Sequence, residues 1–333
     1  MCASQKNREK NLLPLSILSA LLILPSLSLA TPSLEQRQHS AAYVASQDAS
    51  CQAIQPFYWE IGDHQGPQAA GTIGGSNPTA QTIMPIASAS KWIFGSYVVE
   101  HRHGDLNATE LKALTMRSGY TNLSYGRCIR LLPIRQQSET VAECAVARGN
   151  DEFTTIHDGR FFYNGGHFQM LASTDLGLGN MENAHLTAAI NQAIGTDVHI
   201  NYSSPQLAAG IETSAADYAL FLRKILNQQL LISTLLGSHV VCTNPTTCPT
   251  ADSTPVPSTE SWHYSLAHWV EDDPQVGDGA FSSPGAFGFY PWIDANKHYY
   301  GIIARHSMQP KAYYESVQCG RKIRHAWLNG DTH

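Results

Sequence analysis

A serine and a lysine three residues apart, in the run Ser88-Ala89-Ser90-Lys91, are the pair in this chain best suited to chemistry. Residues i and i+3 of a helix share a face, so the Lys91 amine can sit over the Ser88 hydroxyl. A serine alcohol is a weak nucleophile until a base takes its proton. An amine can be that base only when neutral, which requires burial or nearby cations to lower its pKa. The S-x-x-K spacing therefore points to an activated serine for acyl transfer. The same spacing occurs at ordinary helix starts, so the surrounding elements must supply the context.

Those elements can be read from pattern. Pro85 suits a helix start, where its missing N–H costs nothing. Trp92, Ile93, Tyr97 and Val98 make the following helix apolar, as a buried helix would be. Ser88 is then expected at the wet N-terminal end, where free N–H groups and a positive dipole face a developing oxyanion. Ahead of it, residues 33–54 read as helix, and 57–61 and 69–73 as paired strands across a Gly-rich turn. After it come a capped helix over 107–114, a helix over 186–194 and an amphipathic helix after a cap at Thr213 or Ser214. Asp217 in that helix reads as structural. Residues 243–260, rich in Thr, Pro and Ser, read as a loop. Residues 262–270 and 297–306 read as strands, with a turn over 272–279 between them, and 310–328 as a closing helix. A second polar cluster, His101-x-His103-x-Asp105, resembles half of a zinc-hydrolase H-x-H-x-D-H signature. Leu106 replaces its last histidine, and it follows a helix, so it reads as a polar helix end. No metal and no cofactor are expected.

Residues 1–30 have the layout of a secretory signal peptide: Lys6, Arg8 and Lys10, an apolar run from Leu12 to Leu29, and Ser28-Leu29-Ala30 as a cleavage site. Pro14, Pro25 and several serines break the run, which argues against a membrane span. Cys2 precedes the run, so no lipoprotein-type anchor is expected. A periplasmic or secreted protein follows. Residues 31–333 are long enough for one large domain. The net charge of −6 and a charged fraction of 14% contain no basic stripe, so nucleic acid is not an expected partner. Six cysteines remain after cleavage, and an even count in an exported chain suggests three disulfides. Fifteen pairings are open. Cys128 with Cys144 and Cys242 with Cys248 would close local loops, leaving Cys51 with Cys319.

The helix bearing Ser-Ala-Ser-Lys is followed shortly by Leu114-Thr-Met-Arg-Ser-Gly-Tyr120. Together they resemble the penicillin-recognising serine hydrolases: class C β-lactamases, family VIII-type esterases and DD-peptidases. There the second segment usually reads Leu-Leu-Thr-x-Thr-Ser-Gly. Residues 205–226 are similar to the family segment Ala-Gly-Gly-Leu-x-Ser-Thr-x-x-Asp-Leu-Ala-x-Phe. Tyr163 stands where the family carries the tyrosine of Tyr-x-Asn, whose oxygen faces the serine and lysine, which implies a catalytic role in which it helps Lys91 take the Ser88 proton. Gly165 replaces the asparagine. Tyr163, His167 and Gln169 also fit a related Tyr-Gly-x-x-His-x-Gln form, with Asn164 in place of its glycine. Ser283-Pro284-Gly285 stands where the family has Lys-Thr-Gly or His-x-Gly on an edge strand beside the serine, and Ala286 would offer an oxyanion N–H. The fixed cation of those motifs is missing, and His268 or Arg305 would have to replace it.

The resemblance implies an α+β fold: a central antiparallel sheet, terminal helices on one face and an all-helical part on the other. Residues 31–80 and 260–333 would form the sheet part and 81–259 the helical part. It also makes a Cys51–Cys319 bridge reasonable, because the first and last helices pack side by side. The function expected is an acyl-serine hydrolase of a small-molecule or peptide-like ester or amide, first a carboxylesterase or amide hydrolase. The alternatives are a β-lactamase or D-amino-acid peptidase, and a non-catalytic penicillin-binding-like module.

Overall fold

The structure, a computed structural model, describes residues 1–3, 31–124, 128–131, 135–137 and 140–332, without the side chains of 129–131 and 135–137. The signal-peptide reading covers residues 1–30, of which 4–30 lie outside the described residues. The chain divides into Met1–Thr31 and Pro32–His333, and the second unit holds every element below. No helix among the described residues is long and apolar enough to cross a membrane.

Eight strands form one antiparallel sheet: β1 (Phe57–Gly62), β2 (Pro67–Ile73), β3 (Val241–Cys242), β4 (His263–Tyr264), β5 (Trp269–Glu271), β6 (Ala280–Ser282), β7 (Tyr290–Ile293) and β8 (Tyr300–Ala304). Their spatial order is β3-β4-β5-β6-β7-β8-β1-β2. The last six strands run as a meander, and its final strand, β8, pairs with β1 (Tyr58 opposite Ala304). The strands β1, β7 and β8 are buried at every residue. Burial at every position requires both faces to be covered.

Helices of nine residues or more are α1 (Leu34–Gln47), α2 (Ser90–His101), α3 (Gly166–Thr174), α4 (Asn183–Ile194), α5 (Ala215–Leu226) and α6 (Ala312–Asn329). Ser33 starts α1 through a capping box with Gln36. Arg37 ties α1 to α6 by donating to Trp327 O at 2.9 Å. A Cβ on Gly320 of α6 would lie 2.5 Å from the Tyr290 ring, so glycine lets α6 close onto β7. Tyr290 pairs with Ile303, and the side chains of directly paired residues lie on one face. Tyr300, an odd number of residues from Ile303, points to the other face. There its hydroxyl accepts from Arg223 of α5 at 3.1 Å. The terminal helices and α5 thus cover opposite faces of the sheet, as the resemblance implies.

Two local expectations change. Residues 262–270 form not one strand but the hairpin β4–β5, reversed at Ala267 (φ 60°). Ala267 N–H donates to Leu114 O at 2.9 Å, which pins the turn to the end of helix Ala108–Leu114. The strand β6 is not an edge strand, since β5 and β7 flank it. The helical part also carries short ribbons, among them Met84–Pro85 with Ile211–Thr213, and Phe161–Phe162 with Ala251–Ser253.

Candidate active site

Pro85 does not begin the helix. It lies in a two-residue strand, and Ile86 N–H donates to Ile211 O at 3.1 Å. The backbone then turns sharply at Ala87 (φ 46°), in the left-handed region that a residue with a side chain rarely adopts. Such conformations cluster at functional positions. Ser88 follows in a single 3-10 turn, Ala87–Ala89, that leads into α2 at Ser90. Ser90 Oγ accepts from Ile211 N–H at 3.3 Å, and Tyr218 Oη donates to Ala89 O at 2.9 Å. The turn is thereby held from two sides.

Lys91 is 4% exposed, whereas Ser88 is half-buried. Lys91 Nζ lies 2.8 Å from Ser88 Oγ and donates to Ala208 O at 3.1 Å. Burial pushes the ammonium down to about 7, because a charge removed from water loses its solvation. A large fraction is then a neutral amine near neutral pH. The acceptor Ala208 O is itself placed by Gln169, a buried amide on α3. Gln169 Nε2 donates to Pro205 O at 2.8 Å and Val141 O at 3.0 Å, and its oxygen accepts from Leu207 N–H at 3.2 Å.

Tyr163 follows the Phe161–Phe162 strand, and its N–H donates to Ser253 O at 3.0 Å. Its ring packs against Trp269, centroids 5.2 Å apart, and Lys91 Nζ lies 4.8 Å from its centroid. The loop after β6 approaches from the other side. Ser283 Oγ donates to Ser88 O at 3.0 Å. A Cβ on Gly285 would lie 2.1 Å from Ile86 O, so only glycine lets this loop touch the Ser88 turn. Gly285 N–H donates to Phe289 O at 2.7 Å, which closes the loop and turns Ala286 toward Ser88. Neither Ser88 N–H nor Ala286 N–H donates to an acceptor among the described residues.

Ser88 and Ala286 line a cavity of about 130 Å³. Its aromatic walls are Tyr163, Trp262, Trp269 and Tyr313, and Pro255, Val256 and Pro284 complete it. Among the described residues, no ionised side chain lines it. A larger cavity of about 600 Å³, lined by Arg321, Lys322 and His325 among others, contains none of Ser88, Lys91 and Tyr163.

His167 does not line the small cavity. Ser118 N–H donates to its Nδ1 at 3.2 Å, so the opposite Nε2–H donates to Phe162 O at 2.8 Å. Burial holds its pKa down to about 4, and the imidazole is a neutral strut between two segments. His268 stacks on Trp92 at 5.4 Å and is likewise buried. Arg305 is engaged by Glu315, Ser316 and Ala312 O. Neither replaces the missing cation. His101 stacks on Tyr97 at the far end of α2, and no metal-binding group of His, Cys, Asp or Glu occurs among the described residues. Asp217 sits in the first turn of its helix, where its carboxylate accepts from the N-cap Ser214 Oγ at 2.5 Å. Disulfides join Cys51 to Cys319, Cys128 to Cys144 and Cys242 to Cys248.

No protein-family model matches the chain, and no curated protein matches it significantly. Solved structures do resemble it. A β-lactamase from Mycobacterium bovis superposes with a TM-score of 0.55 at 13% identity, over 83% of this chain and 96% of that one. EstCE1, a hydrolase with promiscuous acyltransferase activity, gives 0.57 at 13%, over 86% and 98%. A D-stereospecific amidohydrolase from a Streptomyces species gives 0.56 at 11%, over 86% and 98%. The chain has the β-lactamase/transpeptidase-like fold. Within that fold, Ser88 and Lys91 sit together, with the Tyr163 ring against the amine and the Ser283–Ala286 loop against the serine. The cavity walls from Pro255, Val256, Trp262, Trp269 and Tyr313 carry no motif. Periodicity marked Trp262 and Trp269 only as strand residues, and nothing local marks the others.

Proposed function

We propose that this protein is an exported serine hydrolase that acts through an acyl-serine intermediate on esters or small amides with an uncharged acyl group. The observation that carries the reading is the buried Lys91 amine 2.8 Å from the half-buried Ser88 hydroxyl, at the mouth of an apolar cavity. Neutral Lys91 takes the Ser88 proton as Oγ attacks the carbonyl carbon. The two free amides, Ser88 and Ala286, hold the oxyanion. Collapse breaks the bond to the leaving group, which receives the proton from Lys91. Water, deprotonated by the same amine, then attacks the acyl carbon and releases a carboxylic acid and free Ser88. Tyr163 packs on the amine and keeps it out of water, which sustains its low pKa.

The substrate class follows from what the cavity lacks. A charged acyl group would enter an apolar cavity, and the carboxylate that β-lactams and D-amino-acid peptides carry beside the leaving amine would find, among the described residues lining it, no cation to pair it; an unpaired buried charge is costly. This favours neutral esters and amides over β-lactams and D-amino-acid peptides. Three disulfides suit an oxidising compartment. The test is hydrolysis of p-nitrophenyl acetate, an acyl anilide and a chromogenic cephalosporin by the protein and by Ser88→Ala. The ester is expected to be cleaved fastest, with Ser88→Ala reducing kcat by about 10³-fold or more. A Ser88→Ala variant that keeps its rate would end the serine reading. Cephalosporin turnover exceeding that of the ester would favour a β-lactamase.

A further inference from the structure

We infer that Val256 and Tyr313 set the largest acyl group this site accepts. The inference rests on the hydrolase reading above and adds to it the residues that decide acyl size. The cavity beside Ser88 is walled in part by Trp262 and Trp269, each 2% exposed or less, so it is closed to solvent on that side. After attack the leaving group must depart to solvent, whereas the acyl group stays bonded to Ser88 until water arrives. An apolar cavity walled by buried aromatic rings suits the group that stays. Its volume, about 130 Å³, is close to the roughly 150 Å³ that accommodates one benzene ring in a protein core.

Whether such a wall limits size depends on whether it can yield. Val256 lies in the run Pro255-Val256-Pro257 and is 5% exposed. Both ends of its loop are fastened. On one side Cys242–Cys248 staples the strand β3 to the loop, and Ala251–Ser253 pairs with Phe161–Phe162. Arg160 grips Asp252 with two nitrogens, at 2.9 and 2.6 Å. On the other side Asn244 Nδ2 donates to Ser258 O and Glu260 O, each at 3.0 Å. The middle is braced from the first turn of α6, where Tyr313 Oη donates to Pro255 O. Prolines on either side of Val256 restrict its backbone further. Val256 is therefore a fixed stop, and Tyr313 is both a wall and the prop that keeps the stop in place.

The experiment measures kcat/KM for p-nitrophenyl esters from acetyl to decanoyl. The wild type is expected to fall off beyond about six acyl carbons. Val256→Ala removes two methyl groups and should move the fall-off outward by about two carbons, raising the octanoyl-to-acetyl ratio by about ten-fold or more. Val256→Phe should lower the butanoyl-to-acetyl ratio by a similar factor. Tyr313→Phe, which loses only the bond to Pro255, should broaden the profile as Val256→Ala does. Labelling of Ser88 by a fluorophosphonate in each variant shows that the site is folded. Full labelling with unchanged chain-length profiles overturns this inference alone. A wild type that takes no phosphonate and cleaves no ester overturns the hydrolase reading and this inference with it.

Discussion

At the residue scale the proposed mechanism depends on one proton. Lys91 is buried, and its pKa of about 7 means that it loses its charge as pH rises through neutrality. In the proposed mechanism the base is neutral Lys91, so kcat/KM should rise with pH and level off above about 7. Lys91→Ala should lower kcat by about 10²- to 10⁴-fold and abolish the inflection. A pH profile taken on the wild type and on Lys91→Ala checks this, and an unchanged inflection in the variant would assign it to another group. The same burial has a cost that is largest at low pH. Below about 7 both states are protonated and the folded state bears the full cost of a buried ammonium; that cost is relieved as pH rises from about 7 toward the ordinary lysine value of 10.5, so stability rises across that window. Of these residue-scale features, the S-x-x-K pair was legible because helical spacing alone brings its side chains together. Ala208 was not, since it lies 117 residues from Lys91 and contributes only a carbonyl. Any residue has a carbonyl, so no side-chain type could announce it.

At the scale of elements, two pieces of chain distant in sequence must touch: the turn before α2 and the loop after β6. Gly285 permits that contact, and its φ is not the reason; the space is. A Cβ there meets Ile86 O at 2.1 Å, a backbone atom that cannot swing aside. Gly285→Ala should push Ala286 away from Ser88 and cut kcat by about 10²-fold or more, the scale of losing one oxyanion donor. Stability should fall by about 1–3 kcal/mol, as for an overpacked site. Thermal unfolding and kinetics on one preparation measure both, and a variant with full activity would show that the loop need not touch the turn. Gly285 and Ala286 were found by their place in the order of family landmarks. Pro85 misled, because a proline suits an edge strand as well as a helix start. The 262–270 region misled for a related reason. Trp262, Tyr264, Leu266, His268 and Val270 keep an alternation that continues through a tight hairpin. Its turn uses Ala267 at positive φ with neither glycine nor proline to mark it.

At the scale of the whole molecule, buried imidazoles and the Cys51–Cys319 tie brace the fold beside its apolar packing. His167 and His268 are neutral in the fold, their pKa values pushed by burial from 6.5 to about 4. Both lie below the unfolded value, so the unfolded chain binds more protons between those limits. Stability is therefore full above about pH 6.5 and is lost as pH falls toward 4. Each contributes about 3 kcal/mol at most over that window. Melting temperatures measured from pH 7.5 to 4.5 should fall with acid, and a flat profile would mean that neither burial matters. The antiparallel sheet with helices on both faces was legible from the family landmarks. The pairing of β1 with β8 was not, since no local signal reports a contact between strands about 240 residues apart.

The central claim is that Lys91 activates Ser88 as a nucleophile. Its most direct test is the intact mass of the purified protein after incubation with a fluorophosphonate, alongside Ser88→Ala and Lys91→Ala. The account predicts a single adduct on the wild type, none on Ser88→Ala, and labelling at least about 10²-fold slower on Lys91→Ala. No adduct on the wild type, or equal labelling of the wild type and Ser88→Ala, would contradict it.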